Sequence, residues 1–353
     1  MSRALVPGAG RVIQAAAWAA RHPRERFADR PLPRPDRLYY QASDGWECPL
    51  HRYPAALGAD GAPVLLVHGL LTGPEGFELG EDHALVKRLH SAGHDVFLMT
   101  HRGDRGAVPP PRPRAFDFDD IVARDVPAAL DRIRAATGAS RVLWVGHSLG
   151  GQLAVAHIAR GGSEDLAGAA VLCAPVRFEV PRTQARLARL TAGLLPASWR
   201  IPTRAVHQAL APFSDHARPW QEATRESDGP LARGVMVHGV EDVSAGMARQ
   251  VATWLASGSL CDRRDQVDYM AAVQGTSVPL WVLATDGDRL CSPRAAEPLV
   301  EAGQPGRVTW TVLGSRWGHL DPLIGRDAPG QVHAPLTRWL DALRDRCWDD
   351  VGR

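Results

Sequence analysis

The pentapeptide Gly146-His147-Ser148-Leu149-Gly150 fits the pattern G-x-S-x-G. It follows a run of branched and aromatic residues, Arg141-Val142-Leu143-Trp144-Val145, and opens a helical pattern over residues 149–160. A serine between a strand and a helix sits on so tight a turn that its backbone is strained and its hydroxyl stands clear of the strand end. Side chains at the flanking positions would collide with that strand and helix, which accounts for Gly146 and Gly150. The bland alternative is a Gly-rich turn with a solvent-facing serine; the strand before and the helix after favour a nucleophile. His147 reads as packing, because adjacent side chains on a tight turn diverge.

A serine hydroxyl is a weak nucleophile at neutral pH and needs a histidine to take its proton. That histidine needs an acid on its other ring nitrogen. For a strand–turn–helix serine the order along the chain is Ser, then acid, then His. Two late loops can supply the partners. In Thr285-Asp286-Gly287-Asp288-Arg289-Leu290, Asp288 is favoured. It lies past the Gly turn, before apolar Leu290, where the chain heads back toward the core; Asp286 suits the turn itself. In Gly314-Ser315-Arg316-Trp317-Gly318-His319, His319 is the expected base. His333 comes too late, and Asp321 is too near His319 along the chain to orient it. Holding the loop by local hydrogen bonds suits Asp321 better.

Attack on a carbonyl also needs two donors aimed at the developing oxyanion. One is the N–H of Leu149, directly after the nucleophile. The other is expected from His68-Gly69-Leu70-Leu71-Thr72, after an earlier strand, with Leu70 the natural donor and Leu71 the fallback. Leu71 and Thr72 are candidates to line the substrate pocket. An ordinary Gly turn is the alternative there.

These residues need strand ends to hold them. Val64-Leu65-Leu66-Val67 is a fully apolar run and reads as a buried parallel strand. Further strands are expected at 95–99, 141–145, 169–173, 278–284 and 308–313, with helices over 83–92, 121–136, 149–160 and 333–348. Pro127 predicts a kink or a late start in the second helix, and Gly138 its end. Residues 38–53 read as two antiparallel strands joined at Ser43-Asp44-Gly45. Alternating strands and helices imply an α/β fold, a mostly parallel central sheet flanked by helices. The alternation stops from about 176 to 275. We therefore expect an N-terminal extension (1–37), a core (38–176 and 276–353) and a mainly helical cap insertion (177–275).

Lys+Arg 41 against Asp+Glu 39 leaves no field that would steer nucleic acid. Five scattered cysteines, Cys48, Cys173, Cys261, Cys291 and Cys347, form no C-x-x-C pair, so neither a disulfide framework nor a zinc site is expected. Free thiols point to a reducing, cytoplasmic setting. Nothing approaches the roughly 20 apolar residues of a membrane span. The apolar segment 12–20 reads as an Ala-rich helix on the main domain in preference to a signal peptide.

Other polar and aromatic residues have plainer readings. Arg102 and Asp104 suit a salt bridge or turn. Trp199, Phe213, Trp220 and Trp254 suit the core of the insertion. His207, His216 and His238 match no metal spacing. Gly73 and Gly76 lack the G-K-[ST] of a phosphate loop.

Together, His68-Gly69, the Ser148 pentapeptide, Asp288 and Gly318-His319 resemble the α/β-hydrolase superfamily. Five stretches are similar to its lipase-like branch, which includes acid lipases and polyhydroxyalkanoate synthases: His68-Gly69-Leu70-Leu71-Thr72, Gly93-His94-Asp95-Val96-Phe97, His101-Arg102-Gly103, Phe116-Asp117-Phe118-Asp119-Asp120 and Gly318-His319-Leu320-Asp321. The resemblance implies hydrolysis of a small-molecule carboxylic ester with no metal or organic cofactor. The synthases use a cysteine where this chain has Ser148, which argues against polymer synthesis. An acyltransferase would use the same residues, and a peptidase or amide hydrolase is a further rival. A non-catalytic binding protein on this scaffold would be expected to lack part of the triad.

Overall fold

Strands built wholly of apolar residues need cover on both faces, and a parallel sheet between helices provides it. In the computed structural model, residues 32, 34–56, 61–80, 83–211, 218–227 and 229–348 are described. The segment 12–20 lies outside them. Eight strands form the central sheet: β1 (Asp36–Gln41), β2 (Glu47–Tyr53), β3 (Pro63–Val67), β4 (Asp95–Met99), β5 (Val142–His147), β6 (Leu166–Leu172), β9 (Leu280–Thr285) and β10 (Val308–Leu313). Two short strands between them, β7 (Arg200–Ile201) and β8 (Val243–Ser244), pair separately as an antiparallel ribbon.

The order across the sheet is β1-β2-β4-β3-β5-β6-β9-β10. Only β2 runs antiparallel to its neighbours. Every residue of β3, β4, β5, β6 and β9 is buried, and burying each Val or Leu side chain stabilises by roughly 1.5–3 kcal/mol. Edge strand β10 buries only Leu313 fully, and three of its six residues are exposed.

The expected helix at 121–136 forms with a twist at its start. A turn at Phe118–Asp120 leads into a wide π turn at Ile121–Asp125, and regular α-helix resumes over Val126–Thr137. Pro127 is the second residue of the regular segment, directly after the π turn. Gly138 ends the helix in the left-handed region at φ 73°.

Between β6 and β9 the chain is mainly helical, with segments Arg182–Leu194, Thr203–Leu210, Arg218–Ala223, Gly229–His238 and Ala245–Ser257. It approaches the carboxyl ends of the strands at several points. Glu241 N–H donates to Leu71 O at 3.0 Å, and Gly73 N–H to Gly239 O at 2.9 Å. Leu320 N–H donates to Ala223 O at 2.8 Å. The acidic Phe116–Asp120 stretch gains a structural role here. Asp117 caps the helix that follows, while Asp119 accepts from the Arg263 and Tyr269 side chains and from the Gln250 amide.

Candidate active site

Ser148 stands at the turn between β5 and the helix Leu149–Ala159, with φ 52° and ψ −115°. That is a strained conformation for an L residue, costing on the order of 1–3 kcal/mol. The surroundings enforce it. A Cβ on Gly150 would lie 2.0 Å from Val67 O, and one on Gly146 2.3 Å from Gly150 O. Trp144 Nε1–H donates to Gly150 O at 3.0 Å, and Ser148 N–H to Leu172 O at 2.8 Å. The hydroxyl-bearing residue is half-buried, flanked by fully buried neighbours.

His319 Nδ1 lies 2.6 Å from Asp288 Oδ2. Both are buried, and each stands on a loop after a late strand, β10 and β9 respectively. Burial pushes the Asp288 carboxyl up. The His319 hydrogen bond and charge, with the N–H groups of Cys291 and Leu290, outweigh that and hold it below its ordinary value. Asp286 is exposed, and its N–H continues the β9–β10 ladder by donating to Leu313 O. Past Asp288 the chain turns back to the core at fully buried Cys291, while the Leu290 side chain itself is 67% exposed. The Leu290 backbone N–H donates to Asp288 Oδ1 at 2.7 Å, beside Cys291 N–H at 3.0 Å. Asp321 grips the histidine loop through Gly318 N–H at 2.6 Å. It also reaches Glu226 N–H at 3.0 Å and Ser227 Oγ at 2.8 Å in the insertion.

Gly69 backs directly onto the serine: a Cβ there would sit 3.0 Å from Ser148 Cβ. Leu149 is the first residue of its helix, so its N–H has no carbonyl one turn behind it. Leu70 and Leu71 follow Gly69 along the same loop, Leu71 at φ 67°. A small cavity of about 30 Å³ lies beside them, its lining including Leu70, Leu71, Thr72, Leu149, Phe116, Val243 and Met247. Its polar lining includes His68, His101, Arg102, Asp104, Asp242 and Ser244. His101 N–H donates to Asp104 Oδ2 at 3.0 Å, so Asp104 holds a local turn. Burial raises Asp104 to about 7, and burial followed by the His68 charge lowers His101 to about 3. Arg102 is committed to Asp125 at 2.5 Å and Asp44 at 2.7 Å.

Two residues near the site had no signal in the sequence. His147 does not diverge from it: its Nε2 lies 2.9 Å from His319 O, and the two rings are 4.8 Å apart. Burial, then the His319 charge, lowers His147 to about 3, so it is neutral at ordinary pH. Cys173 follows β6 at φ 50° and is fully buried. Its Sγ, an Asp288 oxygen and a His319 ring nitrogen all lie within 4.8 Å of one another. Such a donor set has the composition of a metal site. Burial and then the Asp288 charge keep the thiol protonated, however, and Asp288 is already engaged by three N–H donors or ring nitrogens.

Of the insertion aromatics, Trp254 is core, edge-on to Phe118 and bonded to Cys261 O. Trp199 is 49% exposed. Phe213 and His216 lie outside the described residues, as does the Trp220 side chain.

The order of the strands, the strained serine and the His–Asp pair after the last two strands define a class. A profile described as the alpha/beta hydrolase family matches residues 64–334, and the chain belongs to that family. Triacylglycerol lipase 2 of Arabidopsis thaliana is 31% identical over 150 residues, 38% of this chain and 36% of that protein. The PhaC subunit of a poly(3-hydroxyalkanoate) polymerase from Haloarcula marismortui is 30% identical over 97 residues, 28% of this chain and 19% of its own. The chain thus spans well under two thirds of these relatives. A monoacylglycerol lipase from Paleococcus ferrophilus superposes with a TM-score of 0.61 at 14% identity, over 84% of this chain and 99% of that one. That likeness is one of fold.

Proposed function

We propose that the protein is a serine hydrolase of carboxylic esters. The observation that carries this reading is the 2.6 Å His319–Asp288 pair, whose His319 backbone is bonded to the residue beside strained Ser148. His319, held in one tautomer by Asp288, takes the Ser148 proton as Oγ attacks the ester carbonyl. The Leu149 and Leu70 N–H groups receive the oxyanion. His319 then protonates the leaving alcohol, and water, deprotonated in turn by His319, releases the acid. The apolar walls given by Leu70, Leu71, Phe116, Val243 and Met247 support a substrate with an apolar acyl or alcohol part. The lipase names of the relatives agree with that choice.

Residues 177–275 act in this proposal as a cap on the core of 38–176 and 276–353. The hydrogen bonds from Glu241 to Leu71 and from Leu320 to Ala223 support it. A reducing, cytoplasmic setting belongs to the same reading, supported by the buried free thiols of Cys48, Cys173, Cys261 and Cys291.

A second reading is acyl transfer from the same acyl-enzyme to an alcohol acceptor, favoured by the polymerase relatives. The test is incubation with a fluorophosphonate probe and p-nitrophenyl esters of graded length, beside Ser148→Ala. Labelling and turnover that vanish in the variant support the hydrolase. Labelling with turnover only when an alcohol is added supports the transferase, and no labelling sinks both.

A further inference from the structure

A surface helix ordinarily turns its leucines inward. The helix Arg182–Leu194 does the reverse. Its buried residues are Ala185 and Ala192, and it packs along the helix Ala245–Ser257. Leu187, Leu190 and Leu194 are 62%, 69% and 84% exposed. Their spacing of three and four residues lines them up as one stripe. Trp199 follows, 49% exposed, and Val206 and Leu210 on the helix Thr203–Leu210 are exposed as well. Of the 13 large hydrophobic residues exposed among the described residues, six fall within 187–210. That concentration marks an interaction surface, unlike singly scattered apolar residues.

The charge around the stripe selects the partner. Residues 180–214 carry five arginines (Arg182, Arg186, Arg189, Arg200 and Arg204) and no Lys, Asp or Glu, in a chain whose net charge is only +2. At 3.6 residues per turn, Arg182, Arg186 and Arg189 run along one edge of the leucine stripe, and all three are exposed. A second copy of the chain docked through this face would set arginines against arginines. Among the described residues no helix is long and apolar enough to cross a membrane.

We propose that this face docks on an anionic lipid bilayer. The leucines and Trp199 enter the headgroup–acyl boundary, while the arginines extend to lipid phosphates. Ala245 N–H donates to Trp199 O at 2.9 Å, which ties the docking face to the strand segment carrying pocket residues Val243 and Ser244. The proposal does not depend on the chemistry assigned to Ser148.

The test is sedimentation of the full chain with vesicles of phosphatidylglycerol and phosphatidylcholine, or of phosphatidylcholine alone, at low and high salt. Two triple variants are compared, Leu187→Gln/Leu190→Gln/Leu194→Gln and Arg182→Gln/Arg186→Gln/Arg189→Gln. All six side chains are exposed, so thermal melts should match the wild type. We expect binding to the anionic vesicles, weakened by salt, and reduced at least ~10-fold by either triple variant. Ser148→Ala should bind as wild type does, whatever it does to ester turnover. Absence of wild-type binding at low salt would overturn the proposal. So would binding indifferent to both triple variants, or a wild-type oligomer that the leucine variant converts to monomers without any vesicle binding.

Discussion

The strand that delivers Ser148 and the helix that leads the insertion bury their residues by opposite rules. Along β5 every residue is enclosed, and Gly146 within it and Gly150 after it meet backbone atoms at distances no Cβ could tolerate. Along Arg182–Leu194 two alanines are hidden and three leucines face out. Packing in the first region dictates backbone shape, and through it the position of a reactive hydroxyl. Packing in the second asks only for small residues on one side, which leaves the other side open to interaction with a partner.

That contrast can be tested in five places. The largest effect is expected at Asp288→Asn, where the loss of the paired carboxylate should lower kcat for an ester about 10^3–10^4-fold with cooperative unfolding retained. Unchanged kcat would remove Asp288 from the chemistry. Next comes Gly150→Ala, whose Cβ would meet Val67 O at 2.0 Å. Urea titration should find about 3 kcal/mol or more of destabilisation, or no folded protein at all. A folded, equally stable variant would mean the elbow is looser than drawn.

His147 gives a pH-dependent effect of intermediate size. Its folded value is lowered to about 3 from 6.5, so between these the unfolded chain binds a proton that the fold refuses. The stability this group contributes is full above 6.5 and is lost as pH falls toward 3. His147→Gln should therefore flatten the acid side of the stability–pH curve, by up to ~1.4 kcal/mol per pH unit. Identical slopes in the two proteins would contradict the buried neutral ring.

The smallest effects belong to the insertion. Gly193 has nothing within 4 Å of an added Cβ and lies inside the helix. Gly193→Ala should stabilise by about 0.5 kcal/mol, the opposite sign to Gly150→Ala. Leu190→Gln should leave stability within about 0.5 kcal/mol of wild type, since the side chain gains nothing from the fold. A large loss there would show that this leucine is packed after all, and the two regions would no longer differ as described.

Much of the core was legible because its signals are local. Val64-Leu65-Leu66-Val67 could only be a buried strand, and the Ser148 pentapeptide needed a strand before it and a helix after it. Asp288, not Asp286, meets His319, and the chain turns inward at buried Cys291, directly after Leu290. The Leu290 side chain is solvent-facing, and two backbone N–H groups hold the carboxylate. The π turn before Pro127 left no trace in the periodicity, because buried Val122, Val126, Ala129 and Ile133 keep three- and four-residue spacings across it. The outward leucines of residues 187–194 would pass in sequence for an ordinary core stripe.

The chain alone determined the succession of strands and helices along it and the strand–turn–helix setting of Ser148, since each follows from steric rules acting over a few residues. Tertiary structure decided which residues far apart in the chain share one spot. Cys173 meets Asp288 and His319, His147 holds the His319 backbone, and Asp321 reaches Glu226 and Ser227. It also decided which face of the helix Arg182–Leu194 is buried. Periodicity marks a stripe on a helix, but only the neighbour that packs against the helix settles whether that stripe meets protein or solvent.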